Sequence, residues 1–273
     1  GETVSDELIT NTGAPQGCVL SPFLYITYTN DCRCGQAECF CVKFADDSAV
    51  LGLISDAESE RVYKQAVDSF TVWCSEHYLE LNVTKTKELV VDPRRGAAPV
   101  NPIYIGGQSV EIVESIRYLG VVLDSQLSFS DHVAATQKRC QQRLYVLRRL
   151  RSFNLAPKLL LNLYRSIIEP LLTYCSMIFL PALSVTEKNK LLKVSNTASK
   201  IINLPVPSVS EITERNLLRK AHAVSGDASH PLNSEFQLLP SGQRYRVPRG
   251  RKVKFRASFV PSAINRLNNA RRR

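Results

Sequence analysis

The sequence of 273 residues is poor in several features that mark other protein classes. It contains one methionine, one tryptophan and four histidines. No run of 18 uncharged apolar residues occurs, and charged side chains interrupt the most apolar segment, residues 158–180, which argues against a membrane span. No signal-peptide pattern accompanies the eight cysteines. We therefore expect reduced thiols, no disulfide-linked partner, and a location inside the cell in the nucleus, the cytoplasm or both.

Acidic side chains are scarce in the second half of the chain. Residues 131–273 hold 26 basic and 7 acidic side chains, whereas residues 1–130 hold 9 basic and 18 acidic ones. The formal net charge of the whole chain is +10. A strongly basic half next to an acidic half predicts a polyanionic partner, most simply nucleic acid.

Hydrophobic residues make up 44% of the sequence, enough for a packed core. In the first half, short apolar runs alternate with turns, which is typical of an α+β layer. The spacing predicts helices over residues 19–28 and 56–77, a hairpin of strands 40–45 and 48–54, and further strands at 88–91, 103–105 and 118–123.

From about residue 130 onward the apolar periodicity is helical. It predicts four helices, the second of them kinked at Pro170: residues 131–153, 157–180, 185–204 and 211–224. A linker is expected at residues 205–207. After Val224 no helical period is predicted, so the end of the chain is expected to be basic and partly disordered.

Two adjacent aspartates, Asp46 and Asp47, separate the strands of the predicted hairpin. Two-residue hairpin turns favour Gly or Asn, which tolerate positive φ angles, so a pair of carboxylates breaks a local folding rule. Such violations are expected where function overrides folding preference. Mg²⁺ binds carboxylate oxygens and would relieve the repulsion, so the pair is a candidate metal site, with a solvated acidic turn as the alternative.

A glycine-flanked loop, Gly13-Ala14-Pro15-Gln16-Gly17, precedes the aspartates by about thirty residues. Its glycines permit close backbone approach, and Pro15 stiffens it. By itself, this segment is more typical of a structural entry into a helix than of a binding loop.

Taken together, four segments in this order resemble the reverse transcriptases of non-LTR, LINE-like retrotransposons. They are the loop at residues 13–22, the Phe-Ala-Asp-Asp hairpin at 44–47, Leu-Asn-Val-Thr-Lys-Thr-Lys at 81–87, and Tyr-Leu-Gly-Val-Val-Leu-Asp at 118–124. The helical block and the tail segments 231–248 and 258–261 also resemble such elements, so the likeness covers nearly the whole chain. It implies a partial right-hand polymerase palm at residues 1–128, an all-helical thumb at 129–205, and a basic C-terminal region at 206–273.

The resemblance also implies roles for individual residues. Asp46 and Asp47 would bind the two Mg²⁺ ions of nucleotidyl transfer, and Lys85, or alternatively Lys87, would neutralise the departing pyrophosphate. The nucleotide and template would contact Pro15, Gln16, Gly17 and Phe44, and the primer end would be held by Tyr118, Leu119 and Gly120. Simpler alternatives stay open: a solvated strand edge for the lysines, a core position for Phe44 and a strand bulge at Gly120.

The implied partners are an RNA template, a DNA primer or their hybrid, and deoxynucleotide triphosphates. Basic side chains of the thumb would contact the nucleic-acid backbone: Arg139, Arg143, Arg148, Arg149 and Arg151. Those of the tail would bind a single strand together with the interleaved aromatics Tyr245 and Phe255: Arg244, Arg246, Arg249, Arg251, Lys252 and Lys254. A solvated helix face and a disordered or nuclear-localisation tail are the alternatives.

One element implied by the resemblance is missing from the sequence. Related polymerases carry a further metal-binding aspartate and the fingers well upstream of the loop, whereas only twelve residues precede Gly13 and Asp6 lies too near it. Because two-metal catalysis depends on coordination geometry, we expect this truncated polymerase to be inactive by itself. The alternative is a non-catalytic RNA- or DNA-binding remnant that uses the basic thumb and tail.

Two further possibilities receive little support. Cys32, Cys34, Cys39 and Cys41 fall within ten residues, but Cys-x-Cys is not the usual zinc spacing, so hairpin or core thiols are expected. Residues 141–174 are similar to a short region attached to AlkB-type dioxygenases. No histidine here is followed two residues later by Asp or Glu, as the iron site of those enzymes requires.

Overall fold

The computed structural model describes residues 13–15, 17–92, 101–250 and 252–270. These residues form helices and small two-stranded sheets, which confirms the predicted α+β class. By their internal contacts they divide into two compact units. We call the described residues within 1–88 and 99–112 the hairpin unit, and those within 89–98 and 113–273 the helical unit.

The hairpin unit contains helices and short strands. In chain order they are α1 (Ser21–Tyr28), β1 (Cys39–Phe44), β2 (Asp47–Gly52), α2 (Ala57–Glu76), β3 (Lys87–Glu88), β4 (Tyr104–Ile105), β5 (Gln108–Ser109) and β6 (Glu111–Ile112). β1 and β2 form an antiparallel hairpin, β4 pairs antiparallel with β5, and β3 pairs in parallel with β6. The strands predicted at 88–91 and 103–105 shrink to the two-residue β3 and β4.

Helix α2 begins where its sequence provides a cap. The side chain of Asp56 accepts a hydrogen bond from the backbone N–H of Ser59 at 2.8 Å, and the Ser59 hydroxyl accepts one from the backbone N–H of Asp56 at 3.0 Å. This reciprocal capping box satisfies donors that the first helical turn leaves unpaired. The buried side of α2 then packs Val67 and Phe70 against the hairpin unit's small core.

The β1–β2 hairpin has one covered face and one open face. Val50 on the inner face packs in a cluster with Val67 of α2 and with Ile103 near β4. On the outer face, Phe40 and Phe44 are 66% and 64% exposed. The core position considered for Phe44 is therefore wrong, because α2 covers only the opposite side of this two-stranded sheet.

The helical unit combines one hairpin with eight helices in its described part. In chain order they are β7 (Ser115–Tyr118), β8 (Val121–Asp124), α3 (Ser130–Ser152), α4 (Pro157–Ile167), α5 (Glu169–Thr173), α6 (Ser176–Phe179), α7 (Val185–Ile202), α8 (Val209–Gly226), α9 (Val253–Ala257) and α10 (Phe259–Ala270). Two 3₁₀ turns, Leu180–Ala182 and Asn233–Glu235, complete it. The sequence predicts residues 118–123 as a single strand. They are instead the last residue of β7, the two-residue turn and most of β8.

The main core of the helical unit lies among α3, α4 and α7. Leu144, Tyr164, Phe179 and Val194 are fully buried there. The β7–β8 hairpin contributes Val121 to the same core, so residues 113–128 pack with the helices rather than with the hairpin unit.

The predicted helix over residues 157–180 is broken into α4, α5 and α6. Pro170 has no backbone N–H to continue the helical ladder, and α4 ends three residues before it at Ile167. Cys175 then takes a left-handed conformation at φ +53°, which separates α5 from α6. No helix within the described ranges is long and apolar enough to cross a membrane.

The chain after Val224 is more ordered than its sequence predicts. Helix α10 packs on α8, and a second core forms around Ala221, Ile264 and Leu267. The prediction that helical periodicity ends at Val224 is wrong. The apolar spacing that builds the buried side of α10 is present in the sequence, at Ala263, Ile264 and Leu267.

Candidate active site at the tip of the β1–β2 hairpin

The two candidate metal ligands lie at the tip of the β1–β2 hairpin. Phe44 pairs with Asp47, so the two-residue turn is Ala45-Asp46 and Asp47 is the first residue of β2. The predicted turn, Asp46-Asp47, is therefore displaced by one residue. Cross-strand register decides this, because it places Cys41 opposite Val50 and keeps both on the covered face. Both carboxylates are exposed.

Ala45 occupies a strained position in this turn. Its φ angle is +51°, in the left-handed region that glycine adopts far more readily than alanine. Alanine at the first turn position makes the hairpin tip less stable than glycine would. Backbone strain of this kind is often found at functional sites.

Replacing Ala45 with glycine is expected to stabilise the hairpin unit by about 0.5–1 kcal/mol, because relief of the left-handed strain exceeds the added unfolded-state entropy. Trp73 is the single tryptophan and lies in α2, so its fluorescence during urea unfolding follows this unit. Ala49→Gly in β2 is the matched control and should destabilise the unit by about 0.5–1 kcal/mol. A loss of stability in Ala45→Gly as large as that in the control would contradict the prediction.

Helix α1 lies beside the hairpin. The Lys43 ammonium on β1 donates a hydrogen bond to the carbonyl of Thr29, directly after α1. Burial and then the nearby Asp46 carboxylate raise the pKa of Tyr25 in α1. The structure thus brings the helix that follows the loop at 13–17 close to the aspartates. Tyr25 carried no distinguishing signal in the sequence, since it reads as one more apolar position of a helix.

The loop before α1 is held by its own hydrogen bonds. The Ser21 hydroxyl donates to the Pro15 carbonyl at 2.6 Å, and the backbone N–H of Cys18 donates to the same oxygen at 3.4 Å. Gly17 has a φ angle of +81°, a conformation that favours glycine. Pro15 and Gly17 are exposed, and the predicted contact residue Gln16 lies outside the described residues.

Of the two candidate lysines, Lys85 is the one left without an ion-pair partner among the described residues. It lies in a turn organised by Asn82, whose side-chain oxygen accepts from the backbone N–H of Lys85 at 3.1 Å. Lys87 instead lies on β3 and forms an ion pair with Glu111 at 2.5 Å. Leu81 and Val83 anchor this turn on the cluster that also contains Val50 of the hairpin.

The carboxylate pair suits a magnesium ion only in part. Mg²⁺ usually binds one or two protein carboxylates and completes its shell with waters and substrate phosphates. The exposed Asp46 and Asp47 match that donor set. Within the described ranges, no group of three or more His, Cys, Asp or Glu side chains is arranged to hold a metal ion.

The cysteines beside the hairpin form a thiol cluster. Cys39 and Cys41 share one face of β1, as predicted, and Cys41 lies within hydrogen-bonding reach of Cys32 and Cys34. Burial raises the pKa of Cys32 to about 11 and that of Cys74 to about 11, so both stay protonated at neutral pH. Within the described residues these thiols are not arranged to hold a metal ion, and they pack as core side chains beside Phe70.

In the helical unit, the predicted primer-grip residues form the turn of the β7–β8 hairpin. Tyr118 pairs with Val121, and Leu119 and Gly120 have φ angles of +45° and +83°. The bulge considered for Gly120 is therefore wrong. Tyr174, which sequence analysis missed, donates a hydrogen bond from its hydroxyl to the Leu119 carbonyl at 2.6 Å, and its ring lies 3.4 Å from where a Cβ on Gly120 would stand.

The arginines of α3 are not equivalent. Arg148, Arg149 and Arg151 are exposed near its C-terminal end. Arg139 is partly buried. Arg143 is partly buried as well, and it donates a hydrogen bond to the Ile167 carbonyl at the end of α4. Its side chain therefore links α3 to α4.

The basic residues of the C-terminal region also divide. Arg244, Arg246, Arg249 and Lys252 are exposed, while Arg251 lies outside the described residues. Lys254 donates to the carbonyl oxygen of Gln126 at 3.0 Å. Tyr245 is only 8% exposed, so the base stacking expected of it is not possible in this conformation.

The hairpin unit thus places two exposed carboxylates at the β1–β2 tip, beside the helix that follows the loop at 13–17. The sequence of the first part of the chain is similar to that of reverse transcriptases. The family described as reverse transcriptase (RNA-dependent DNA polymerase) matches residues 2–123.

Similar curated proteins carry related names. A probable RNA-directed DNA polymerase from transposon BS of Drosophila melanogaster is 30% identical over 148 residues, which are 51% of this chain and 16% of that protein. The polymerase from mobile element jockey of the same species is 26% identical over 75% of this chain and 23% of its own length. A Pol polyprotein from the type-1 retrotransposable element R1 4 of Nasonia vitripennis is 32% identical over 49% of this chain and 39% of its own length.

The chain therefore spans well under half of each of these relatives. No solved structure matches it. A second family, described as the N-terminal part of alkylated DNA repair protein alkB homolog 8, matches residues 130–170, which are α3, α4 and the start of α5. This match agrees with the likeness of residues 141–174 to the region attached to AlkB-type dioxygenases. The sequence has no histidine followed two residues later by Asp or Glu, as their iron site requires.

Proposed function

We propose that this chain is the palm and thumb portion of an RNA-directed DNA polymerase. Residues 1–128 would be the partial palm, 129–205 the thumb and 206–273 the basic C-terminal region. The observation that carries the proposal is the pair of exposed aspartates at the β1–β2 tip, beside α1, inside the segment that matches the reverse transcriptase family. The partners would be an RNA template, a DNA primer or hybrid, and deoxynucleotide triphosphates, inside the cell in the nucleus or the cytoplasm.

In this proposal, separate groups of side chains bind the metal, the nucleotide and the primer. Bound Mg²⁺ would supply activation of the attacking 3′-hydroxyl and charge neutralisation at the phosphates. Asp46 and Asp47 would hold the metal, and Lys85 would face the leaving pyrophosphate, since Lys87 is paired with Glu111. The nucleotide and template contacts would come from the loop at 15–17 and from the exposed ring of Phe44, and the primer contact from the turn at 118–120.

Iron-directed backbone cleavage tests the metal site. Fe²⁺ substituted for Mg²⁺, with ascorbate and peroxide, cuts the polypeptide close to where the ion binds. In the presence of an RNA–DNA hybrid, cleavage is expected near residues 44–49, suppressed by excess Mg²⁺ and lost in Asp46→Asn/Asp47→Asn. Asp68→Asn, an exposed carboxylate on α2, is the matched control and should leave the cleavage unchanged. Cleavage that persists in the double variant would refute the proposal.

The 273-residue chain by itself is expected to show no template-dependent primer extension with Mg²⁺. Its described residues supply two carboxylates and no third metal ligand, and two-metal transfer depends on a complete coordination shell. The assay compares the wild-type chain with Asp46→Ala/Asp47→Ala. Extension by the wild type above that background would overturn this expectation. The alternative of a purely binding remnant is not favoured, because the similar proteins are named as polymerases.

A further inference from the structure

A cleft of about 710 Å³ lies between the extended segment 244–249 and helix α10 in the helical unit. Three arginines and three asparagines line it: Arg244, Arg246, Arg249, Asn265, Asn268 and Asn269. None of the described residues that line the cleft is acidic. The cleft therefore gathers positive charge and amide groups without an opposing carboxylate.

The fold holds the segment that carries the arginines in one conformation. The Asn268 side chain accepts from the backbone N–H of Tyr245 at 2.8 Å and donates to its carbonyl at 3.0 Å. Tyr245 pairs with Leu238 in an antiparallel bridge, and its ring packs edge-on against Phe236. Side chains alternate along an extended strand, so the inward side chain of Tyr245 leaves those of Arg244 and Arg246 pointing outward.

These arginines have no competing partner among the described residues. No ion pair or side-chain hydrogen bond engages Arg244, Arg246 or Arg249 within that part of the chain. Other cations of the same region are used structurally: Arg266 of α10 pairs with Glu214 at 2.5 Å, and Lys254 donates to backbone carbonyls. The three guanidinium groups of the cleft thus remain available to a ligand.

We propose that this cleft binds the phosphodiester backbone of one nucleic-acid strand. The inference rests on the proposed function and adds a contact outside the residues assigned to catalysis and to the thumb. Guanidinium groups match phosphate oxygens in a two-pronged geometry. Alternate residues of a strand are about 6.6 Å apart, so Arg244 and Arg246 form a row that suits a repeating polyanion.

The shape and chemistry of the cleft favour a single strand. Its volume of about 710 Å³ is in the range of ordinary ligand sites and suits a few nucleotides of one strand. The exposed amides of Asn265 and Asn269 supply donors and acceptors for base edges or ribose hydroxyls. Stacking plays no part, because Tyr245 is buried.

Binding of a fluorescent single-stranded RNA to the full chain tests the inference. At about 0.1 M salt, Arg244→Gln/Arg246→Gln is expected to bind about tenfold more weakly, with the logarithmic salt slope smaller in magnitude by about 1.4. Arg215→Gln/Arg219→Gln removes the same charge from exposed positions of α8 that do not line the cleft, and should change affinity less than about twofold. Equal affinities or equal losses in the two variants would overturn the proposal.

Competition separates the possible sources of phosphate. Unlabelled single-stranded RNA or DNA should displace the probe, whereas inorganic phosphate or a blunt duplex that competes equally well would refute the strand-binding cleft. Asn265→Asp/Asn269→Asp should weaken binding further with an unchanged circular dichroism spectrum. Iron-directed cleavage at residues 44–49 should be identical in Arg244→Gln/Arg246→Gln. If Arg244→Gln/Arg246→Gln keeps both the iron-directed cleavage and the wild-type RNA affinity, the strand-binding cleft is refuted and the proposed polymerase function is not.

Discussion

Replacing Asp124 with alanine is expected to destabilise the helical unit by about 3–4 kcal/mol, because one partly buried carboxylate holds the whole connection between β8 and α3. It accepts backbone N–H groups from Gln126 at 3.0 Å, Ser128 at 3.0 Å and Phe129 at 2.8 Å. Leu127 and Phe129 have positive φ angles, which cost free energy in residues other than glycine, so this conformation depends on the hydrogen bonds to Asp124. Phe129 is buried in the main core, which ties the loop to the packing of α3.

The same carboxylate predicts a pH dependence. Burial raises the pKa of Asp124, but the hydrogen bonds from Ser128, Phe129 and Gln126 together outweigh it and lower the pKa below its ordinary value. The ionised form is therefore favoured by folding. Its stabilisation is fully present above the unfolded-state pKa and is lost as the pH falls through the lower folded-state pKa.

Urea unfolding followed by circular dichroism measures the stability lost in Asp124→Ala at neutral pH, since most helices lie in the helical unit, and the same measurement in acid follows the pH dependence. Asp131→Ala, an exposed aspartate in the first turn of α3, is the matched control and should cost less than about 1 kcal/mol. Asp124→Asn should fall between the wild type and Asp124→Ala. An Asp124→Ala variant as stable as the control would show that the loop is held by other contacts.

Replacing Arg148, Arg149 and Arg151 together with glutamine is expected to weaken binding of an RNA–DNA hybrid about a hundredfold at low salt, a change of about 2.7 kcal/mol. All three are exposed on the last turns of α3, and Arg149 lies 5.8 Å from the ring of the exposed Phe153. A run of cations on one helix end contacts successive phosphates and carries affinity rather than sequence preference. This would make the end of α3 the main duplex contact of the proposed thumb.

Fluorescence anisotropy across a series of salt concentrations measures this prediction. The triple variant should reduce the logarithmic salt slope by about 3. Arg215→Gln/Arg219→Gln/Lys220→Gln removes the same charge from exposed positions of α8 and should keep the wild-type slope. Arg143→Gln should lower folding stability and leave the slope unchanged, because Arg143 is bonded to the Ile167 carbonyl. A slope lowered equally in both triple variants would argue against a specific contact by α3.

Features that depend on neighbouring residues follow from the sequence. The cap at Asp56 and the serine–glutamate caps of α7 and α8 are local hydrogen-bond patterns, and the helices begin where these patterns place them. The order and spacing of the four motifs indicated the likeness to reverse transcriptases without any structure. The apolar period of α10 was present as well, but it was missed because basic and proline-rich surroundings obscured it.

Features that depend on residues far apart in the chain were decided by the tertiary structure alone. Register across the hairpin moved the turn to Ala45-Asp46, and helix packing placed Tyr25 near Asp46 and Tyr174 against the turn at Gly120. The two tyrosine contacts leave no period in the sequence, since they join residues 21 and 55 positions apart. By itself, the sequence determined the α+β class, the caps of several helices and the candidate site residues, because these depend on local patterns. Only packing decided which cations support the fold, as Arg143 does by its bond to the Ile167 carbonyl, and which are exposed to solvent, as Arg148 is.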